Sequence, residues 1–153
     1  MKYFLVFFLI LLSLSACGQK EMVFGDESEK RPAAEDYMDY VYSDDEILIY
    51  LQVLKDTGAK LDGYSTVYEV TKDEEGRYVH STSAGTVMGE KKDGKLSFNT
   101  GDYEEDFKGV EKNNQWVMTF NNKTYKFKKV TVEEGKKVLD GFEKKLAEKN
   151  KKQ

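Results

Sequence analysis

Apolar and polar residues alternate with a period of two over much of the chain after residue 59, the signature of strands that bury one face. Tyr64, Thr66, Tyr68 and Val70 alternate with Ser65, Val67, Glu69 and Thr71, which predicts a half-buried strand over 64–71. Asp73-Glu74-Glu75-Gly76 turns the chain. Residues 77–82 and 85–91 read as the next strands, with Ser83-Ala84-Gly85 as a kink or bulge between them. Asp93-Gly94 is a two-residue hairpin turn leading into a strand over 95–99. Further on, Trp116, Met118 and Phe120 point to one side and Val117 and Thr119 to the other. Asn121-Asn122 makes another tight turn, after which Tyr125 and Phe127 continue the apolar face while Lys126 and Lys128 face water. An offset of 20 residues also brings the segment from Gly89 to Leu96 onto that from Gly109 to Trp116, so that Asp93-Gly94 matches Asn113-Asn114. Two copies are too few for a solenoid and fit a meander of antiparallel hairpins.

Before this region, Tyr37 to Tyr42 is followed by the apolar run Ile47 to Leu54, where the signals conflict. Ser43 with Glu46 makes a helix capping box, and Lys55 and Gly58 suit a helix end. The richness in Ile, Val and Tyr and the strand-like spacing that follows favour a strand instead, and the strand is preferred. After the last strand, Thr131 and Glu134 form a second capping box, and Val138, Leu139, Phe142 and Leu146 recur at helical spacing. That stripe is expected to pack on the sheet, with Lys144 to Gln153 fraying. Eight candidate strands joined by short turns are enough to close a small barrel, which removes exposed sheet edges. The fold class is therefore mainly β: an antiparallel meander or small eight-stranded barrel with a C-terminal α-helix.

The first residues follow another pattern. Lys2 is the only charged side chain before Lys20, residues 4–12 are apolar without interruption, and Ser13, Ser15 and Ala16 are small. This is the layout of a secretory signal, with a positive start, a short apolar region and a small-residue cleavage site. The uncharged run from Tyr3 to Gln19 is close to the shortest that spans a bilayer, which places a retained transmembrane helix second. Leu14-Ser15-Ala16-Cys17 resembles the lipobox of bacterial lipoprotein precursors at all four positions. The resemblance implies a diacylglyceryl group on the Cys17 thiol, cleavage between Ala16 and Cys17, and often an acyl chain on the new amino group. Cys17 is the only cysteine, so no intrachain disulfide can form, and lipidation accounts for a lone thiol on an exported chain. One acyl chain binds a membrane marginally, whereas two or three anchor it. The expected organisation is a signal peptide over 1–16, a lipidated cysteine and polar tether over 17–36, a β domain over 37–130, and an amphipathic helix with a basic tail over 131–153.

Removing the leader leaves 137 residues, enough for one domain with a real core. With 13% aromatic residues the body is not disordered in composition. Charge is uneven: three basic and ten acidic residues in 18–46, nine and thirteen in 47–122, eleven and five in 123–153. The basic end suits anionic lipid headgroups or teichoic acids, or simply a solvated helix face. A sequence pI near 5.2 with no basic stripe interleaved with aromatics argues against nucleic acid.

Candidate chemistry is sparse. His80 is the only histidine, and neither a Ser-His-Asp nor a Cys-His arrangement can be assembled around it. The acidic clusters Asp73-Glu74-Glu75 and Asp102 to Asp106 lack the spacing of a calcium loop and read as solvated turns. Tyr64, Tyr68, Tyr78, Trp116, Tyr125 and Phe127 are candidate lining residues for a ligand cavity in a barrel. The Gly-x-Trp signature of lipocalins is missing from the first strand, so that family's ligand chemistry is not carried over. These observations lead to a non-enzymatic, monomeric binding or interaction module. It is held outside the cytoplasm on a bacterial membrane by lipid on Cys17 and engages an envelope or protein partner, with no metal, no further cofactor and no nucleic acid. The alternatives are a carrier of a hydrophobic small molecule and, last, a small envelope hydrolase. Replacing Cys17 with Ser is expected to release the protein into the medium or leave it unprocessed. Fractionation that finds the variant membrane-bound at mature size would exclude the lipid anchor.

Overall fold

The computed structural model describes residues 33–101 and 106–152. The lipobox Leu14 to Cys17, the tether as far as residue 32, Asp102 to Glu105 and Gln153 lie outside the described residues. A short 3-10 turn, Ala34–Asp36, leads into eight strands: β1 Tyr37–Ser43, β2 Ile47–Leu54, β3 Lys60–Lys72, β4 Tyr78–Lys92, β5 Lys95–Asn99, β6 Phe107–Lys112, β7 Gln115–Phe120 and β8 Lys123–Val130. Each strand pairs antiparallel with the next, and β8 returns to β1 through Asp39–Val130, Tyr40–Lys129 and Val41–Lys128. The result is a closed up-and-down barrel, followed by one helix, α1, over Val132–Lys151.

The short connections are dictated locally. Asp93-Gly94, Asn113-Asn114 and Asn121-Asn122 all have positive φ at both residues, between 47° and 74°. This is the type I′ geometry whose twist matches a two-residue hairpin. The run 47–54 is a strand, as preferred, and the Ser43–Glu46 helix cap does not form. Asp44 Oδ1 instead accepts the backbone N–H groups of Glu46 and Ile47, both at 2.9 Å, which turns the chain from β1 into β2.

Several expectations need correction. Residues 77–82 and 85–91 belong to one strand, because the β3–β4 register runs unbroken from Lys60–Glu90 to Lys72–Tyr78 with no bulge at 83–85. The total stays at eight because the arm leading into Asn113-Asn114 is a strand of its own, β6. The tether does not extend to residue 36: Lys55 donates from its backbone N–H to Asp36 O at 2.8 Å and from its side chain to Glu35 O, pinning the 3-10 turn to the end of β2. The end of α1 does not fray either. Asn150 accepts the Tyr78 N–H at 2.7 Å and donates to the Tyr78 carbonyl at 2.8 Å, and Lys149 Nζ donates to Asp45 O at 2.8 Å.

Two apolar clusters occupy the two sides of the sheet. Inside the barrel lie residues such as Ile49, Leu51, Val53, Val67, Phe98, Phe107, Trp116, Met118 and Phe127, all 1% exposed or less. Outside, Phe142 of α1 inserts against Val41, Leu48 and Tyr68, with Val138 and Leu139 beside it. The predicted capping box forms at the start of α1: Glu134 N–H donates to Thr131 Oγ1 at 3.2 Å and Thr131 N–H to the Glu134 carboxylate at 2.8 Å.

A barrel this narrow needs sharp bends, and Gly89 and Gly109 supply them. Both face inward, and a Cβ at either would lie about 2 Å from a carbonyl oxygen of the neighbouring strand, Ser97 O or Val117 O. Gly63, two rungs from Gly89 on the adjacent strand β3, makes the same approach to Gln52 O. Gly89→Ala is therefore expected to destabilise the fold by about 2–4 kcal/mol. Gly141→Ala, where the added methyl meets open space on the exposed side of α1, should stabilise by up to about 1 kcal/mol. Denaturant titration of both variants checks the contrast.

Candidate interaction surface

The structure divides the six candidate lining residues into two sets. Trp116, Tyr125 and Phe127 face the barrel interior. Tyr64, Tyr68 and Tyr78 lie on the outer face: Tyr64 is exposed and packs at 6.1 Å on Tyr37, Tyr68 is buried under Phe142, and Tyr78 lies between Lys72 and Lys149 at 4.8 and 5.6 Å. The inward positions of β3 are Leu61, Gly63, Ser65 and Val67, the opposite phase from the aromatic stripe. The period was legible, but α1 buries part of the outer face too, so large residues there do not mark the barrel side.

The interior is occupied by side chains in mutual contact. Tyr40 stacks on Trp116 at 4.0 Å, Phe98 on Phe107 at 5.1 Å and Phe107 on Phe120 at 4.5 Å, with Phe127 edge-on to Phe98 and Phe107. Burial, and then the negative charge of Glu111, push the Tyr40 hydroxyl up to about 12. Glu111 faces inward at one end of the barrel and pairs with Lys91. This filling counts against the carrier alternative.

The opposite end is closed by a second polar set. Asp44 Oδ2 accepts the Tyr42 hydroxyl at 2.7 Å and Lys123 Nζ at 2.9 Å, while its Oδ1 holds the two backbone N–H groups of the β1–β2 turn. Burial opposes the charge on Asp44. The ammonium of Lys123, the two backbone donors and the Tyr42 hydroxyl outweigh it and hold the carboxyl well below its usual range. Lys123 also lies 5.3 Å from the ring of Tyr125.

The remaining candidates are tied down structurally. His80 meets Tyr68 edge-on at 5.4 Å, its Nδ1 is 3.3 Å from Thr82 Oγ1 and its Nε2 is 4.0 Å from Glu143. Asp73 and Glu75 are bridged by Arg77 at 2.8 and 2.9 Å, which makes that cluster a turn staple. Among the described residues, no group of three or more His, Cys, Asp or Glu side chains is placed to hold a metal ion.

One surface stands out by charge. The outward positions of β5 to β8 carry Lys95, Lys108, Lys112, Lys126 and Lys128, all exposed and none in an ion pair with a described residue. The only acid in these four strands, Glu111, faces inward. Val110 and Val117 sit side by side across the β6–β7 ladder, flanked by Lys95 and Lys126 on the neighbouring strands. A groove of about 430 Å³ at one edge of this wall is lined by Lys92, Lys95, Ser97 and Lys108 together with Glu90 and Asp93. Helix α1 packs on β1, β2, β4 and β8, so β5 to β7 stay open. Lys126 and Lys128 were expected to face water. The full set emerges only when period-two lysines are followed across four strands and the ladder register is known.

Comparison with known protein families, characterised proteins and solved structures finds no match.

The Asp44 cluster has a pH signature. A carboxyl held below its unfolded value stabilises the fold fully above about pH 4 and progressively less as the pH falls through the folded value. Asp44→Asn should cost about 1–3 kcal/mol at pH 7 and show a smaller deficit at pH 3. Denaturation at the two pH values checks both the cost and its direction.

Proposed function

We propose that this chain is a lipid-anchored module on the outer side of a bacterial membrane that acts by binding and not by catalysis, and that its β5–β8 wall engages an anionic envelope partner. The lipobox resemblance and the single cysteine support the location. The observation that carries the binding mode is the wall itself. Five exposed lysines without a described ion-pair partner concentrate positive potential on one side of a chain whose net charge is −4. Such a field steers and holds a polyanion, and the contact weakens with salt as counterions return. The packed barrel interior supports a role carried out on the outer surface, and rigid strands keep the lysine spacing fixed, so that no backbone has to be ordered at binding.

The test is titration of the purified chain with a soluble polyglycerol phosphate at low and high salt. Binding should fall steeply with ionic strength and be largely lost in Lys108→Gln/Lys126→Gln/Lys128→Gln. A control that removes the same charge from α1, Lys136→Gln/Lys137→Gln/Lys144→Gln, should bind nearly as the natural chain does. Equal loss in both variants would reduce the effect to net charge, and full binding by the first would remove the wall from consideration.

A further inference from the structure

Closure of the barrel is uneven between β4 and β5. Strand β4 runs over Tyr78–Lys92, but β5 pairs only with Met88 to Lys92. In an antiparallel strand, successive residues direct their N–H and C=O groups to alternate neighbours. The side each residue faces can be fixed here. Lys91 N–H donates to Ala59 O at 2.7 Å and Arg77 O accepts from Asp73 N–H at 3.0 Å, so the odd residues face β3. The even ones face the other way: Met88, Glu90 and Lys92 toward β5, and Tyr78 toward the Asn150 carboxamide. Gly101 lies against the backbone of Thr86. Between these two stops, the backbone groups of His80, Thr82 and Ala84 make no hydrogen bond to a described residue on their open side.

This edge lacks the protections that edge strands normally carry. From Tyr78 to Gly89 there is no Asp, Glu, Lys, Arg or Pro, Ser81 to Ala84 are exposed, and the register shows no bulge. The Asn150 side chain already pairs with Tyr78 in the manner of a neighbouring peptide group.

We propose that this edge pairs with the same edge of a second copy, antiparallel, about a two-fold axis at Thr82. The free rungs are symmetric about that residue. With Thr82 opposite Thr82, His80 of each copy falls opposite Ala84 of the other, so all three open N–H groups and all three open carbonyls on each chain find partners. The absence of charge removes like-charge repulsion at the axis, where a symmetric contact would otherwise place it. The Asn150-capped end of each edge lies at the outer limit of the pairing, opposite the Gly101-covered end of the other. An edge-to-edge contact of three rungs is far smaller than a standard interface, so the dimer is weak and concentration-dependent. The inference is independent of the lysine wall, which lies on other strands, and of the anchor.

Sedimentation of the purified full chain in non-ionic detergent, over a hundredfold concentration range, tests it. The natural chain should shift from monomer toward dimer, with amide exchange at His80 and Ala84 slowing in parallel. Thr82→Pro removes an N–H that points away from β3, a position where a free edge tolerates proline. It should keep the far-ultraviolet circular dichroism of the barrel while weakening association more than about tenfold. Thr82→Lys, which puts two like charges at the axis, should weaken it without any backbone change. A chain that stays monomeric throughout, an association unaffected by both substitutions, or slowed exchange only when a different polypeptide is added would overturn the proposal.

Discussion

The structure depends on closing eight strands into a barrel so narrow that neighbouring backbones almost touch at its bends. Side chains cannot occupy those points, because a methyl group at Gly89 or Gly109 would sit far inside the van der Waals contact distance to a carbonyl oxygen one strand away. The two glycines occupy equivalent places in the 20-residue hairpin repeat, each four residues before a type I′ turn. The bend, the turn and the inward apolar residue that follows, Leu96 in one copy and Trp116 in the other, form one geometric unit used twice. Because closure is tight, the interior is filled by stacked rings, and the protein's outer face is left to do what it does.

Helix α1 sets the character of that outer face on one side. A sheet normally buries one face against a core and wets the other. Here Phe142 and its neighbours bury a second patch on β1, β2 and β3, so those strands are apolar on both sides over part of their length. The helix is held at its start by the Thr131–Glu134 box and at its end by Asn150 on the β4 backbone. Gly135 makes room for the Tyr50 ring, whose hydroxyl burial and then Asp39 push above its ordinary range. The strap covers what would otherwise be an exposed apolar surface and leaves β5 to β7 uncovered.

The lysines separate accordingly. Lys91 and Lys123 neutralise acids at the two barrel ends, and Lys145 and Lys149 tie α1 to Asp45. Lysines in such roles contribute to the fold. Those on the open wall have no described ion-pair partner, and a surface charge that contributes little to stability is the kind available for recognition.

The sequence alone carried the elements: the period-two alternation, the Asp-Gly and Asn-Asn turns and the second capping box are local signals, set by backbone sterics within a few residues. It also carried the inward placement of Trp116, Tyr125 and Phe127, because β7 and β8 have no helix over them at those positions and one face is simply wet. Only the tertiary structure decided the phase of β3, since the helix that buries Tyr68 comes from more than sixty residues away in the chain. It likewise decided that Asn150 holds the last helical turn and that β4 outruns its partner. Both are matters of which strand ends beside which, a relation between distant segments that no local pattern encodes.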